Sequence, residues 1–98
     1  MTSRTNEYVP NYLVLPGDHI GEFLEAYGMS QKELAERAGV TPQYVNAVIK
    51  GGARITPEFA RSLGMIFDYP AEMWLSFQSA YDISFLERKE EEELIYTA

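Results

Sequence analysis

Three amide side chains, those of Gln31, Gln43 and Asn46, stand close together in the sequence. Glutamine and asparagine can each donate one hydrogen bond to adenine and accept another from it in the DNA major groove. A glutamine at the first position of a helix can also reach a phosphate, because the N-terminus of a helix attracts anions. We therefore expect Gln43 and Asn46 to contact bases and Gln31 to contact a phosphate; the alternative is an ordinary solvated polar face.

Two basic residues, Lys50 and Arg54, follow the amide residues along the chain. They are predicted to contact phosphates, because cationic side chains supply much of the affinity for a DNA duplex. Tyr44 allows two interpretations, a phosphate contact or a ring that covers the edge of the core. Lys32 is either a further contact or a residue that only maintains solubility. The other DNA-binding candidates in this stretch are Lys32, Thr41, Pro42 and Tyr44.

Charge is distributed unevenly along the chain. The whole chain has a net charge of −7, which by itself disfavours contact with DNA. Residues 31–54 are the exception, since four basic and two acidic side chains give this window a net charge of +2. A protein with an acidic body can still dock on DNA through one basic face, and the acidic remainder suits a basic protein partner.

Residues 31–50 are expected to form two short helices joined by a turn of about three to four residues. Ser30 can cap the first helix, and Glu33 can return the hydrogen bond in a capping box. Thr41 and Pro42 suit the cap and the first position of the second helix. The pair also needs a small residue at the helix crossing, a residue that tolerates positive φ in the turn, and apolar anchors. These are Ala35, Gly39, Val40, Val45 and Val48.

Three more helices are predicted around this pair. Helix 1 begins at Pro16 and ends at Gly28, helix 4 begins at Pro57, and helix 5 begins near Pro70. Their apolar residues recur at the spacing of a helix that packs against a core. The predicted fold class is therefore all-α, a five-helix bundle in which helices 2 and 3 form a helix-turn-helix.

The chain is expected to have three segments. Residues 1–15 show no helical period and are predicted to form an extended N-terminal arm. Residues 16–86 contain the helix-turn-helix DNA-binding domain. Residues 87–98 form an acidic C-terminal extension into which helix 5 can continue, and residues 94–98 are either a frayed end or a short strand.

The sequence disfavours an enzyme. It has no cysteine and a single histidine, His19, which we interpret as an ordinary helix residue and not a metal ligand. The carboxylates form no recognisable acid–base pair, and the serines lack the sequence context of a nucleophile. No apolar run approaches the ~18 residues of a membrane span, and no N-terminal leader is apparent. We expect no catalytic residue, no metal, no cofactor, no membrane contact and a cytoplasmic location.

The helix-turn-helix residues carry a resemblance to a known family. The matching residues are Gln31, Ala35, Gly39, Val45 and Val48. On these residues the chain resembles the phage-repressor-like, or XRE-type, helix-turn-helix family. The resemblance implies a phage-repressor-like fold and binding to operator DNA.

Three further motifs resemble the HigA antitoxins within that family, and they cover residues 16–82. They are Pro16-Gly17-Asp18, Ile55-Thr56-Pro57-Glu58 and the series Trp74-x3-Gln78-x2-Tyr81-Asp82. The last series is the most specific, because a generic repressor has no need of it. The chain departs from the family at two places. The loop Gly51-Gly52-Ala53-Arg54 has fewer basic residues than usual, and Ser76 stands where asparagine is common.

The resemblance implies an antitoxin that represses its own type II toxin–antitoxin operon. Such a protein binds a palindromic operator as a homodimer and pairs with a small basic ribonuclease toxin. Three alternatives stay open. They are a phage-type transcriptional repressor without a toxin, the N-terminal regulatory part of a longer metallopeptidase-like protein, and a protein-interaction module whose helix 3 never contacts DNA.

Overall fold

The computed structural model describes residues 14–97, with side-chain burial described as far as residue 92. The regular elements in this range are all helices: α1 (Pro16–Tyr27), α2 (Gln31–Ala38), α3 (Pro42–Lys50), α4 (Pro57–Phe67) and α5 (Ala71–Thr97). The predicted all-α, five-helix fold is confirmed. Of the predicted N-terminal arm, residues 1–13 lie outside the described residues.

Hydroxyl caps begin the three central helices. Ser30 Oγ accepts a hydrogen bond from the Glu33 backbone N–H at 3.0 Å, and Thr41 Oγ1 accepts one from the Tyr44 N–H at 3.0 Å. Thr56 Oγ1 accepts from the Phe59 N–H at 3.1 Å. Each cap satisfies a backbone donor that has no partner inside its helix. The positions at which α2, α3 and α4 begin therefore follow from short-range sequence signals.

Among the described residues, the second hydrogen bond of a capping box at α2, from the Ser30 backbone N–H to the Glu33 carboxylate, is absent. The carboxylate of Glu33 instead accepts a hydrogen bond from Arg37 Nη2 at 2.7 Å, one helical turn further on. A glutamate can reach either way, and here the charged partner at i+4 is preferred over the backbone N–H. A hydrogen bond of this second kind is present at α1, where Asp18 Oδ2 accepts from the Leu15 backbone N–H at 3.1 Å.

Gly39 makes the sharp turn between α2 and α3. It has a φ of 72°, in the left-handed region that side chains with a Cβ rarely adopt, and its N–H donates to the carbonyl of Ala35. Ala35 itself is 1% exposed. Because both residues are small, α2 and α3 can cross closely with only a short connection.

The core lies between α4, α5 and the helix-turn-helix. Trp74 is fully buried, and its indole N–H donates to the carbonyl of Tyr69 at 3.1 Å, so the ring is packed without leaving a polar atom unpaired. The largest fully buried side chains are Trp74, Phe59, Phe67, Ile20, Leu34, Leu63, Val45 and Val48. Since members of this set come from all five helices, the core fixes α3 relative to the rest of the chain.

Helix α1 makes close contacts with α3 and with α5. At Gly17 a Cβ atom would lie only 2.3 Å from the Cα of Ile49, so the start of α1 touches the backbone of α3. At the other contact, the ring of His19 stacks on the ring of Phe77 in α5, with centroids 3.8 Å apart and planes 16° apart. The first helix is therefore packed against both α3 and α5.

Helix α5 is unbroken for 27 residues, or about 40 Å at the usual helical rise. The predicted boundary between residues 86 and 87 falls inside it, and residues 87–97 continue the same helix. Residues 94–97 are helical and not a strand. Among the described residues, none of the helices combines the length and apolar character needed to cross a membrane.

Candidate nucleic-acid interface

The helix α3 presents a polar face on the side opposite its buried anchors. Val45 and Val48 are 0% and 1% exposed and fix this helix on the core. Gln43, Asn46 and Lys50 stand at i, i+3 and i+7, and a helix places such positions on one face. Gln43 and Lys50 are exposed and Asn46 is half-buried. The structure therefore brings two predicted base contacts and one predicted phosphate contact onto one surface.

Asn46 is linked to the start of α2. Its Nδ2 donates a hydrogen bond to Oε1 of Gln31 at 3.2 Å, across the two helices of the motif. Gln31 is the first residue of α2, where side chains meet the positive end of the helix dipole. The bond uses one N–H of Asn46 and leaves its Oδ1 and its second N–H unpaired by Gln31. Those are the two atoms that a bidentate contact with adenine requires.

The other exposed candidates belong to α2 and to the start of α3. Lys32, Thr41 and Pro42 are exposed, with Thr41 Oγ1 engaged as the cap of α3. Within residues 14–92, neither Lys32 nor Lys50 forms an ion pair with a carboxylate, unlike Arg37 and Arg54. No carboxylate of that range therefore competes with a phosphate for their ammonium groups.

Tyr44 lies on the core side of α3. Its ring packs edge-on against Phe59, with centroids 5.1 Å apart, and its hydroxyl donates to the carbonyl of Arg54 at 2.6 Å. The same hydroxyl accepts from the Thr56 N–H at 3.4 Å. Of the two interpretations of Tyr44, this placement favours the one in which the ring covers the edge of the core. The side chain also closes the loop that joins α3 to α4.

Arg54 forms an ion pair that the sequence analysis did not predict. Its Nη1 and Nη2 donate to the two carboxylate oxygens of Asp82 in α5, at 3.1 and 2.8 Å. Hydrogen bonding from Arg54 is the main reason that the pKa of Asp82 is lowered, and the same interaction raises the pKa of Arg54. The guanidinium predicted to meet a phosphate therefore already holds an anionic partner.

Gln78 extends this network to the backbone. It is 6% exposed, and its Nε2 donates to Oδ1 of Asp82 at 3.2 Å. Its Oε1 accepts from the N–H of Ile55, the residue after Arg54, at 2.9 Å. Sequence reasoning did not assign Gln78 and Asp82 to the interface. The only signal for them was their place in the Trp74-to-Asp82 series.

Comparisons with known proteins agree with this geometry. A family model described as helix-turn-helix matches residues 20–74, more than half of the chain. The chain is 32% identical over 73 residues to the uncharacterized HTH-type transcriptional regulator YddM of Escherichia coli, covering 74% of this chain and 78% of that protein. It is 37% identical over 62 residues to antitoxin HigA-1 of Vibrio cholerae, covering 63% of this chain and 58% of the relative.

A solved structure extends the similarity beyond the helix-turn-helix. The antitoxin HigA of Pseudomonas aeruginosa, whose structure includes the higBA promoter, is similar with a TM-score of 0.76 and 26% identity. The similarity covers 87% of this chain and 94% of that one. The chain therefore belongs to the XRE-type helix-turn-helix family of DNA-binding regulators, and its structural neighbours include HigA antitoxins.

Proposed function

We propose that the chain is an antitoxin that represses its own operon by binding a palindromic operator as a homodimer. The observation that carries this proposal is the polar face of α3, with Gln43, Asn46 and Lys50 aligned and Asn46 joined to Gln31. A recognition helix of this kind enters the major groove and contacts base edges through residues near its N-terminus. Gln43 is the second residue of α3, which suits that geometry.

In this proposal the residues divide into two groups. Gln43 and Asn46 contact bases, while Gln31, Lys32 and Lys50 contact phosphates and set the position of the helix in the groove. Thr41 and Pro42 lie at the exposed start of α3, and in the proposed complex they would be close to the DNA backbone. The bond from Gln31 to Asn46 joins the two groups, because a phosphate bound at the start of α2 would also orient the amide of Asn46.

Two observations support a homodimer, the geometry of operators and the exposed apolar residues of α5. One recognition helix reads only a few base pairs, and two half-sites about 34 Å apart are read by two protomers. Beyond Asp82, helix α5 exposes Ile83, Phe85 and Leu86, which are 54%, 53% and 55% exposed. Three large apolar side chains on one unpacked helical segment are typical of an interface, so we assign dimer contacts to this part of α5.

The proposed toxin partner is a small basic ribonuclease. The support is the similarity to HigA antitoxins and the net charge of −7, which attracts a basic protein at surfaces other than α3. A repressor complex needs the toxin and the operator to be bound together. The toxin surface should therefore not overlap the face that holds Gln43 and Asn46.

Selection from a pool of random duplexes tests the DNA-binding part of the proposal. The parent protein is expected to enrich a palindrome, because two identical protomers read two identical half-sites. The double variant Gln43→Ala/Asn46→Ala, checked for helical content by circular dichroism, should enrich no sequence. Enrichment of the same palindrome by the folded double variant would show that α3 is not the reader. Absence of any enrichment by the parent would favour the protein-interaction module.

A further inference from the structure

We propose that Asp82 is a positioning residue for DNA binding, which holds the guanidinium of Arg54 in the orientation that meets a phosphate. The inference rests on the proposed DNA-binding function and adds a residue from α5, a helix outside the helix-turn-helix. It also makes an acidic side chain favourable for binding a polyanion, which is the opposite of what its charge alone predicts.

The geometry of the pair leaves Arg54 able to bind a second anion. Asp82 contacts both Nη atoms, the end-on arrangement. Of the five N–H donors of arginine, this uses two and leaves the Nε–H and the outer Nη hydrogens. The Nε–H and a neighbouring outer Nη hydrogen are parallel and match two oxygens of a phosphate. Because the Arg54 side chain is 66% exposed, those remaining donors are open to solvent.

Asp82 is itself held in place by Gln78. The buried Gln78 donates to Oδ1 of Asp82 and accepts from the Ile55 N–H, so the carboxylate is tied to the loop that carries Arg54. A long arginine side chain loses rotamer freedom when it binds a phosphate. Here much of that ordering already exists in the free protein, and preorganisation of this kind strengthens binding.

The same network fixes Arg54 relative to α3. The hydroxyl of Tyr44, which belongs to the first turn of α3, donates to the carbonyl of Arg54 at 2.6 Å. The backbone of Arg54 is therefore attached near the end of the helix that approaches the bases, and its guanidinium is attached to α5. Both ends of the residue are anchored, so its position follows the recognition helix when that helix enters the groove.

The competing interpretation is that Asp82 repels phosphates and removes Arg54 from the DNA surface. The two interpretations predict opposite changes in DNA affinity for Asp82→Asn. Loss of one negative charge per protomer strengthens DNA binding in the competing interpretation. In the positioning role, the variant weakens binding about five- to tenfold at moderate salt. It also lowers the salt slope, the steepness with which the logarithm of the binding constant falls with the logarithm of salt concentration, by about one per protomer.

The experiment is a fluorescence anisotropy titration at several salt concentrations, with the selected duplex and a scrambled duplex. Glu25→Gln in α1 is the control for net charge, because Glu25 is an exposed carboxylate and its loss changes the net charge equally. The expected result is weaker binding by Asp82→Asn on both duplexes and no weakening by Glu25→Gln. Binding by Asp82→Asn that equals or exceeds that of Glu25→Gln would overturn the inference.

Three further variants keep the test decisive. Arg54→Ala/Asp82→Asn should bind no more weakly than Arg54→Ala, because Asp82 acts through Arg54; additional weakening in the double variant would count against the inference. Arg54→Lys keeps the charge but lacks the fork that spans carboxylate and phosphate, so it should bind more weakly than the parent even if Asp82→Asn folds poorly. Parent-like binding by Arg54→Lys would also contradict the positioning role.

Gln43→Ala separates this inference from the proposed function. If Gln43→Ala loses selectivity for the selected duplex while Asp82→Asn binds like its control, the DNA-reading function stands and the role of Asp82 is wrong. If Gln43→Ala binds both duplexes like the parent, the reading by α3 is wrong whatever Asp82 does.

Discussion

Asn46 donates a hydrogen bond to Gln31 across the helix-turn-helix, with 3.2 Å between Nδ2 and Oε1. The bond joins a residue on the face of α3 to the first residue of α2. In the proposed complex with operator DNA, those positions would contact a base and a phosphate respectively. Sequence readout and backbone contact are therefore expected to depend on each other in this protein.

The first prediction concerns base reading by Gln43. Gln43→Ala should cost roughly 1–3 kcal/mol in binding to the operator and little in binding to a scrambled duplex, because it removes a contact with a base edge. Fluorescence anisotropy on the two duplexes measures the difference, and circular dichroism checks the fold. Equal losses on both duplexes would show that Gln43 contacts only the DNA backbone.

The second prediction concerns the pair Gln31 and Asn46. Gln31→Ala and Asn46→Ala should be non-additive in operator binding by about 0.5–3 kcal/mol, because the first substitution already releases the amide of Asn46. Gln31→Ala combined with Gln43→Ala is the matched control and should be close to additive. Additivity in both cycles would mean that the hydrogen bond does not contribute to recognition.

The third prediction concerns Lys50. Lys50→Ala should weaken operator and scrambled DNA alike and reduce the salt slope by about one per half-site, because a phosphate contact carries no sequence information. Lys89→Ala removes the same charge from an exposed position on α5 and should change the slope much less. The two variants are compared in anisotropy titrations over a range of salt concentrations. Equal slopes for them would indicate that Lys50 acts only through net charge.

The fourth prediction concerns the close approach of α1 to α3. Gly17→Ala should lower the free energy of unfolding by about 1–3 kcal/mol, because its Cβ would lie 2.3 Å from the Cα of Ile49 and a backbone cannot yield as a side chain can. Urea unfolding followed by Trp74 fluorescence measures the change. Gly17→Ala should also weaken operator binding, since relief of the clash displaces α3.

Gly21→Ala is the control for this prediction on the same helix. A Cβ at Gly21 meets nothing within 4 Å, so the substitution should stabilise the protein by up to about 1 kcal/mol through helix propensity. If both alanine variants are equally stable, the contact between α1 and α3 is looser than the structure shows.

The fifth prediction concerns the homodimer. Sedimentation equilibrium of the parent should show a mass of two chains, each 11.2 kDa, and Phe85→Glu should shift it to a single chain, because a buried unpaired charge is costly at an interface. Met65→Glu introduces the same charge at an apolar residue of α4 that is 79% exposed, and it should leave the dimer intact. A monomeric parent would remove the assignment of α5 to dimer contacts.

Local signals in the sequence were sufficient for the helix-turn-helix. Thr41 and Thr56 each cap a helix within three residues of their own position, and Gly39 supplies the turn by its own conformational freedom. Such features depend on neighbours in the chain, so the sequence alone can predict them. The same holds for the face of α3, whose residues share one helical period.

Features that depend on distant residues could not be predicted in the same way. Arg54 and Asp82 are 28 positions apart, and nothing in either segment says that α5 passes beside the loop after α3. The two interpretations of Tyr44 could be separated only once the position of Phe59 was known. Glu33 had two partners within reach, and the choice of Arg37 depends on side-chain geometry.

The stack of His19 on Phe77 gives the protein a natural NMR probe of its helix packing. The imidazole lies nearly parallel to the phenyl ring at 3.8 Å, in the region that a ring current shields. His19 is the single histidine of the sequence, so its imidazole proton resonances in an NMR spectrum belong to one known site. An upfield position of those signals reports that α1 and α5 are in contact, and a return to the usual position reports that they have separated. Binding of DNA or of a protein partner that changes the packing of α1 on α5 can thus be followed without an added label.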